Sequence, residues 1–135
     1  MKRIKEKINE IKLFLSELEE IIPNKFEEYT SNKTVKAACE RYIEKIIEGI
    51  TDIAFMIIKQ RKFEIPEDDI DAFRILNEHK IIQGLLYKKL KEAKGMRNIL
   101  AHEYGKIDDQ IVFNSLNELQ KDVEGFLKEI SKLVK

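Results

Sequence analysis

A single cysteine, Cys39, excludes an internal disulfide and any zinc site built from cysteines. It falls on an apolar helical face and reads as a small buried hydrophobe. Lys and Arg together number 25, as do Asp and Glu, so the formal net charge is zero. That balance excludes the overall basicity of a non-specific nucleic-acid binder, and any nucleic-acid site has to be a local patch. No uncharged apolar run is long enough to span a bilayer, and no signal peptide precedes the first charged residues, so a cytoplasmic protein without membrane attachment is expected. His, Cys, Asp and Glu nowhere cluster at metal-ligand spacing, so neither a metal nor another cofactor is expected. Only two prolines and five glycines interrupt 135 residues.

What is present is helix-forming. Charged residues make up 37% and hydrophobic ones 43%, with Glu, Lys, Ile and Leu prominent. The length suits one domain spanning residues 1–135. Ile4, Ile8, Ile11, Leu15, Leu18 and Ile22 recur at steps of three and four, which predicts a helix over about Lys2–Ile22, ended by Pro23-Asn24. Residues 24–33 form a polar connector with room for a helical turn at Lys25–Tyr29. A second helix over about Lys33–Lys59 carries two apolar faces. Val35, Cys39, Tyr42, Ile46, Ile50, Ile53 and Ile57 form one, and Ala38, Ile43, Ile47, Ala54 and Ile58 the other. Such a helix is central, or turns one face to an oligomer interface. Gly49 within it costs about 1 kcal/mol of helix propensity and marks a candidate close helix–helix approach.

Pro66-Glu67-Asp68-Asp69 opens a third helix, with Pro early and acids in its first turn. It carries Ile70, Phe73, Ile75 and Leu76 and stops near Asn77–Lys80. His79 lies in that polar stop and reads as a surface residue. A fourth helix runs over about Ile81–Lys94 with Ile82, Leu85, Leu86 and Leu90 inward. Residues Arg97–His102 either continue it past Gly95 or form a turn of their own. After Gly105, Asp108 or Asp109 caps a last helix on which Val112, Leu116, Leu119, Val123, Leu127, Ile130 and Val134 face inward. The expected architecture is all-α, an antiparallel bundle of four or five helices.

The chemistry concentrates in Arg97-Asn98-Ile99-Leu100-Ala101-His102-Glu103-Tyr104. A guanidinium binds and stabilises an anion, and an imidazole moves protons near neutral pH, so Arg97 and His102 together suit a reaction at a phosphate. Between Lys80 and Lys106 stand seven cations (Lys80, Lys88, Lys89, Lys91, Lys94, Arg97, Lys106) and two acids (Glu92, Glu103), a local excess of +5. Within that patch Lys88, Lys91 and Lys94 are the candidate RNA-binding lysines. On a helix Asn98 and His102 are neighbours, whereas Arg97 and His102 lie about 140° apart. Blander readings stay open: a helix-terminal histidine favoured by the dipole, and a half-buried packing tyrosine.

This eight-residue run resembles the RNxLxHxY signature of the HEPN superfamily, and the chain is similar to its HepT-like branch. The second-helix stretch Tyr42–Ala54, with its Asp-Ile-Ala ending, carries the resemblance further. So do Phe73-Arg74-Ile75-Leu76, Gly95-Met96-Arg97 and Lys106-Ile107-Asp108. Lys80 stands where that family usually has glycine, a departure that concerns a turn. The resemblance implies an all-helical homodimer acting as a metal-independent ribonuclease toxin. It implies as partner an MNT-type nucleotidyltransferase antitoxin that attaches AMP to Tyr104. Such a modification adds charge and bulk beside the site.

RNA carries its own nucleophile, the 2′-hydroxyl, so this chemistry needs a base, an acid and a cation. One chain offers one motif histidine, so a composite site at a two-fold dimer interface is expected. There His102 transfers protons, Arg97 stabilises the transition state, Asn98 orients groups and Tyr104 touches RNA. Products would carry a 2′,3′-cyclic phosphate. A different class of reading makes the chain a non-catalytic helical subunit that holds a nucleotide phosphate for a nucleotidyltransferase. A third makes it a purely structural bundle.

Overall fold

In the computed structural model, which describes residues 2–102 and 108–134, the chain is all-helical. Six helices follow in order: α1 Lys2–Ile21, α2 Phe26–Ser31, α3 Lys33–Arg61, α4 Asp69–Glu78, α5 Gly84–His102 and α6 Asp109–Ser131. The expected count of four or five is corrected by α2, which the sequence marks only as a connector. Its formation is a tertiary effect. Tyr29 is fully buried with its ring 5.3 Å from that of Phe113, and Phe26 packs on the same ring at 5.8 Å. Packing of this kind makes a short helix worth forming where propensity alone does not.

α3 is the central element and packs against all five other helices. Both its apolar faces are used: Ile43, Ile46, Ile47, Ile50, Ile53, Ala54, Ile57 and Ile58 are all buried, with Cys39 among them. Asn32 caps its start by accepting a hydrogen bond from the Val35 amide at 3.1 Å. Gly49 is the close approach to α1. A Cβ there would stand 2.7 Å from Cγ1 and 2.9 Å from Cδ1 of Ile11. The inward stripe is buried at every expected position, although α6 ends at Ser131 and Val134 lies beyond it, and Asp108, not Asp109, is its cap, accepting from the Gln110 amide at 2.9 Å.

The α3–α4–α5 corner differs from expectation in detail. Pro66 lies ahead of the helix; α4 starts at Asp69 with Asp68 as cap, its carboxylate accepting from the Asp71 amide at 2.7 Å. α5 starts at Gly84, not Ile81, because Ile81 and Ile82 close the preceding turn. The Ile81 amide donates to the Leu76 carbonyl at 2.9 Å, and the Asn77 side-chain amide donates to the Ile82 carbonyl at 2.9 Å. Leu85, expected inward, is 66% exposed. Successive helical residues are about 100° apart, and Leu86 takes the inward direction instead. Lys80 adopts a left-handed φ of 61°. His79 is on the surface as expected, but it is partnered: its ring stacks on Phe63 at 3.6 Å and its Nε2 is 2.8 Å from a Glu64 carboxylate oxygen. No helix among the described residues is long and apolar enough to cross a membrane.

Candidate functional site

α5 runs without a break through Gly95 to His102. This settles the sequence alternative in favour of one continuous helix and fixes how the motif is arrayed. Lys88, Lys91, Gly95, Asn98 and His102 recur at alternating steps of three and four, so they share one stripe about 80° wide. Arg97 stands outside it, about 140° from His102. Lys94 and Asn98 fill the arc between the two. Tyr104 lies outside the described residues, and His102 is placed through its helical backbone only.

Arg97 turns toward α3 and α4. Its side chain is 18% exposed, with Nη2 3.8 Å from Glu48 Oε1 and Nη1 donating to Asn98 Oδ1 at a long 3.5 Å. Its buried Nε has no hydrogen-bond partner among the described residues. A guanidinium carries five donors in a rigid fork, so this one is weakly satisfied. Beside it, Lys94 is buried, with a side chain 5% exposed and Nζ 2.7 Å from Asp69 Oδ2. The two cations, Asn98, Asp68, Asp69 and Ile70 line a cavity of about 380 Å³.

The lysine patch therefore divides. Lys88 and Lys91 are exposed and line the stripe with Asn98. Lys94 is corrected from a solvated patch lysine to a buried, ion-paired one facing the Arg97 cavity. The cause is its register: it lies on the flank of α5 that packs on the start of α4. The residues that sequence reasoning missed are the acids Glu48 and Asp69. Asp69 was legible only as a first-turn acid of α4, although a lysine on a packed helix flank demands a counter-charge. Among the described residues, no group of three or more His, Cys, Asp or Glu side chains is placed to hold a metal ion.

A protein-family model described as Ribonuclease HepT-like matches residues 4–130. The chain belongs to the HepT-like ribonuclease family. Within it, the chain is 31% identical over 88 residues to the mRNA nuclease HepT of Shewanella oneidensis. That match covers 65% of this chain and 66% of that protein, just under two thirds of its length. It is 25% identical over 118 residues to the tRNA nuclease HepT of Aphanizomenon flos-aquae, covering 87% of this chain and 80% of that protein. Among solved structures it is similar to a tri-AMPylated HEPN toxin of Shewanella oneidensis in complex with an MNT antitoxin. The identity there is 26%, the match covers 96% of each chain and the TM-score is 0.90. The α5 motif of this HepT-like chain thus sits in a fold shared with a solved toxin in complex with an antitoxin.

Proposed function

We propose that this chain is the ribonuclease toxin of a toxin–antitoxin pair and cleaves RNA without a metal ion. The observation that carries the reading is the state of Arg97: a half-buried guanidinium, weakly satisfied among the described residues, facing a cavity on the motif helix. In the reaction the 2′-hydroxyl oxygen attacks the adjacent phosphorus and the P–O5′ bond breaks. The 2′-hydroxyl proton goes to a His102 imidazole and the leaving 5′-oxygen receives a proton from a second acid. The products are a 2′,3′-cyclic phosphate and a 5′-hydroxyl. Arg97 stabilises the charge that builds on the non-bridging oxygens, and Asn98 orients the phosphate.

The 140° between Arg97 and His102 on one straight helix is why we place the complete site in a homodimer. One protomer's His102 then works opposite its partner's motif, and two histidines divide the two proton transfers. Tyr104, two residues beyond His102, is the position an MNT-type nucleotidyltransferase antitoxin would modify with AMP. A phosphodiester there repels the RNA backbone and fills the cleft.

The same 140° favours one second reading, a nucleotide-binding subunit that holds a phosphate with Arg97 and never uses His102 for chemistry. Labelled RNA incubated in EDTA with unmodified wild type, its Tyr104 free of AMP by intact mass, separates the two. Cleavage by wild type to cyclic-phosphate ends, with a loss of at least a hundredfold in His102→Ala, is expected. Ends bearing 3′-hydroxyls, or cleavage abolished by EDTA, would defeat the mechanism. Equal inactivity of both folded proteins would leave the binding-subunit reading standing in its place.

A further inference from the structure

Two cations line the Arg97 cavity, and each is paired in the same asymmetric way. Lys94 is 5% exposed, while its partner Asp69 is 44% exposed; Arg97 is 18% exposed, while its partner Glu48 is 55% exposed. The cations are fixed by packing on α5. The acids are the exposed members: Asp69 lines the cavity from the first turn of α4, and Glu48 reaches Arg97 from α3, and either turns into water at little cost. The other acid lining the cavity, Asp68, is committed elsewhere, because its side chain caps α4 by accepting from the Asp71 amide. A buried lysine held by one exchangeable carboxylate stabilises a fold weakly, since desolvation offsets most of the attraction. It is well suited to exchanging that carboxylate for another anion.

We infer that Lys94, beside Arg97, is a seat for a phosphate of the RNA strand next to the one whose charge Arg97 stabilises during cleavage, with Asp69 as a built-in placeholder that the phosphate displaces. This deepens the ribonuclease reading and rests on it. The geometry suits that role. Going round α5, Arg97, Lys94, Asn98 and His102 follow one another at steps of about 60°, 40° and 40°. A phosphate resting on Lys94 therefore has Arg97 on one side of it and Asn98, then His102, on the other. The Asp69 oxygen, 2.7 Å from Nζ, marks where a phosphate oxygen would stand. Exchange of one anion for another leaves the charge around Lys94 unchanged, so the free protein keeps the seat without an unpaired buried ammonium.

The test is binding in a His102→Ala background, with a fluorescent 2′-O-methyl RNA that cannot be cleaved, followed by anisotropy over a salt series. Lys94→Met keeps the aliphatic stem and removes the charge. It is expected to weaken binding about tenfold and to make the slope of log K against log salt shallower by about 0.7, as for one lost phosphate contact on a single strand. Asp69→Asn removes the placeholder and should tighten binding several-fold. The gain must vanish when Lys94→Met is also present, which a merely structural role for Asp69 would not produce. If the parent binds and Asp69→Asn has no effect or weakens binding, or if Lys94→Met leaves affinity and slope unchanged, the seat is wrong and the ribonuclease reading stands. If the folded parent binds no RNA at all, both fail together.

Discussion

Three glycines sit inside long helices of this chain, and two of them, Gly49 and Gly95, mean opposite things. At Gly49 on α3 a Cβ would collide with Ile11 of α1, so the missing side chain is what lets the two helices approach. At Gly95 on α5 a Cβ would find nothing within 4 Å among the described residues. Each glycine costs its helix about 1 kcal/mol relative to alanine. At Gly49 packing offsets that cost. At Gly95 no packing within the described chain does, and the residue lies on the stripe between Lys91 and Asn98. Gly125 on α6 is equally open, so open space alone marks no function; what sets Gly95 apart is its place on the motif stripe.

The sharpest way to break this contrast is to put the same side chain at both positions. Gly49→Val is expected to destabilise the fold by about 3 kcal/mol, through overpacking against Ile11. Gly95→Val should stay within about 0.5 kcal/mol of wild type, valine being no worse a helix former than glycine. Urea denaturation of the two variants measures both. A loss at Gly95 as large as that at Gly49 would mean that a second surface already packs there in solution. Combining Gly49→Ala with Ile11→Ala sharpens the first half: the pair should cost less than the sum of the two single changes, because the smaller residue vacates the space that the new Cβ needs.

Next in size is Gly95→Ala. Filling open space on a helix, it should raise stability by about 1 kcal/mol. If the RNA backbone runs along the Lys88–His102 stripe, the same change lowers kcat/KM. A more stable variant with undiminished cleavage would remove Gly95 from the surface and leave its presence unexplained.

How far the sequence foretold this arrangement depends on which forces act locally. α1 and α3 follow their three/four apolar spacing to within about two residues, and α6 follows it up to Ser131, because their buried faces are written into the chain one residue at a time. Gly49 was legible as a close approach for the same reason. α2 was legible only as a turn, since what makes it a helix is the distant Phe113 ring. The start of α5 was misplaced because the Asn77 side-chain bond to the Ile82 carbonyl spends two apolar residues on a turn. In the site, the motif could be read directly, but whether it continued the fourth helix past Gly95 could not. The pairing of Lys94 with Asp69 and of Arg97 with Glu48 could not, because charge on a helix looks solvated until its neighbouring helices are placed.

A smaller backbone effect tests the α4–α5 turn. Lys80 holds a left-handed φ of 61° where glycine would hold it without strain, so Lys80→Gly should gain up to about 1 kcal/mol. Lys62, with φ 59° at the end of α3, is the internal comparison and should behave alike. A gain at one and not the other, in matched thermal melts, would show that the lysine without the gain makes a contact worth as much as its strain.

The smallest effect concerns a part-buried charge far from the motif, and its sign contrasts with the paired cations of the site. Burial raises the Glu40 carboxyl above its ordinary range; Lys36 opposes this, while Asp109 and Glu44 reinforce it. Lys36 is itself engaged with Asp109 at 3.0 Å. A carboxyl raised in the folded state holds its proton more tightly there than in the unfolded chain. Between the unfolded and folded values the native state carries the extra proton, so this group's contribution to stability falls as pH rises through that window. Glu40→Gln cannot lose that proton. Its stability relative to wild type should therefore grow as pH rises through the acidic range and level off by neutrality, with the variant then the more stable. Denaturation midpoints of the two proteins at matched pH values measure the difference directly. A difference that shrinks with rising pH would mean that Lys36 serves Glu40 rather than Asp109, making Glu40 a paired acid like Asp69 and not a buried one awaiting a proton.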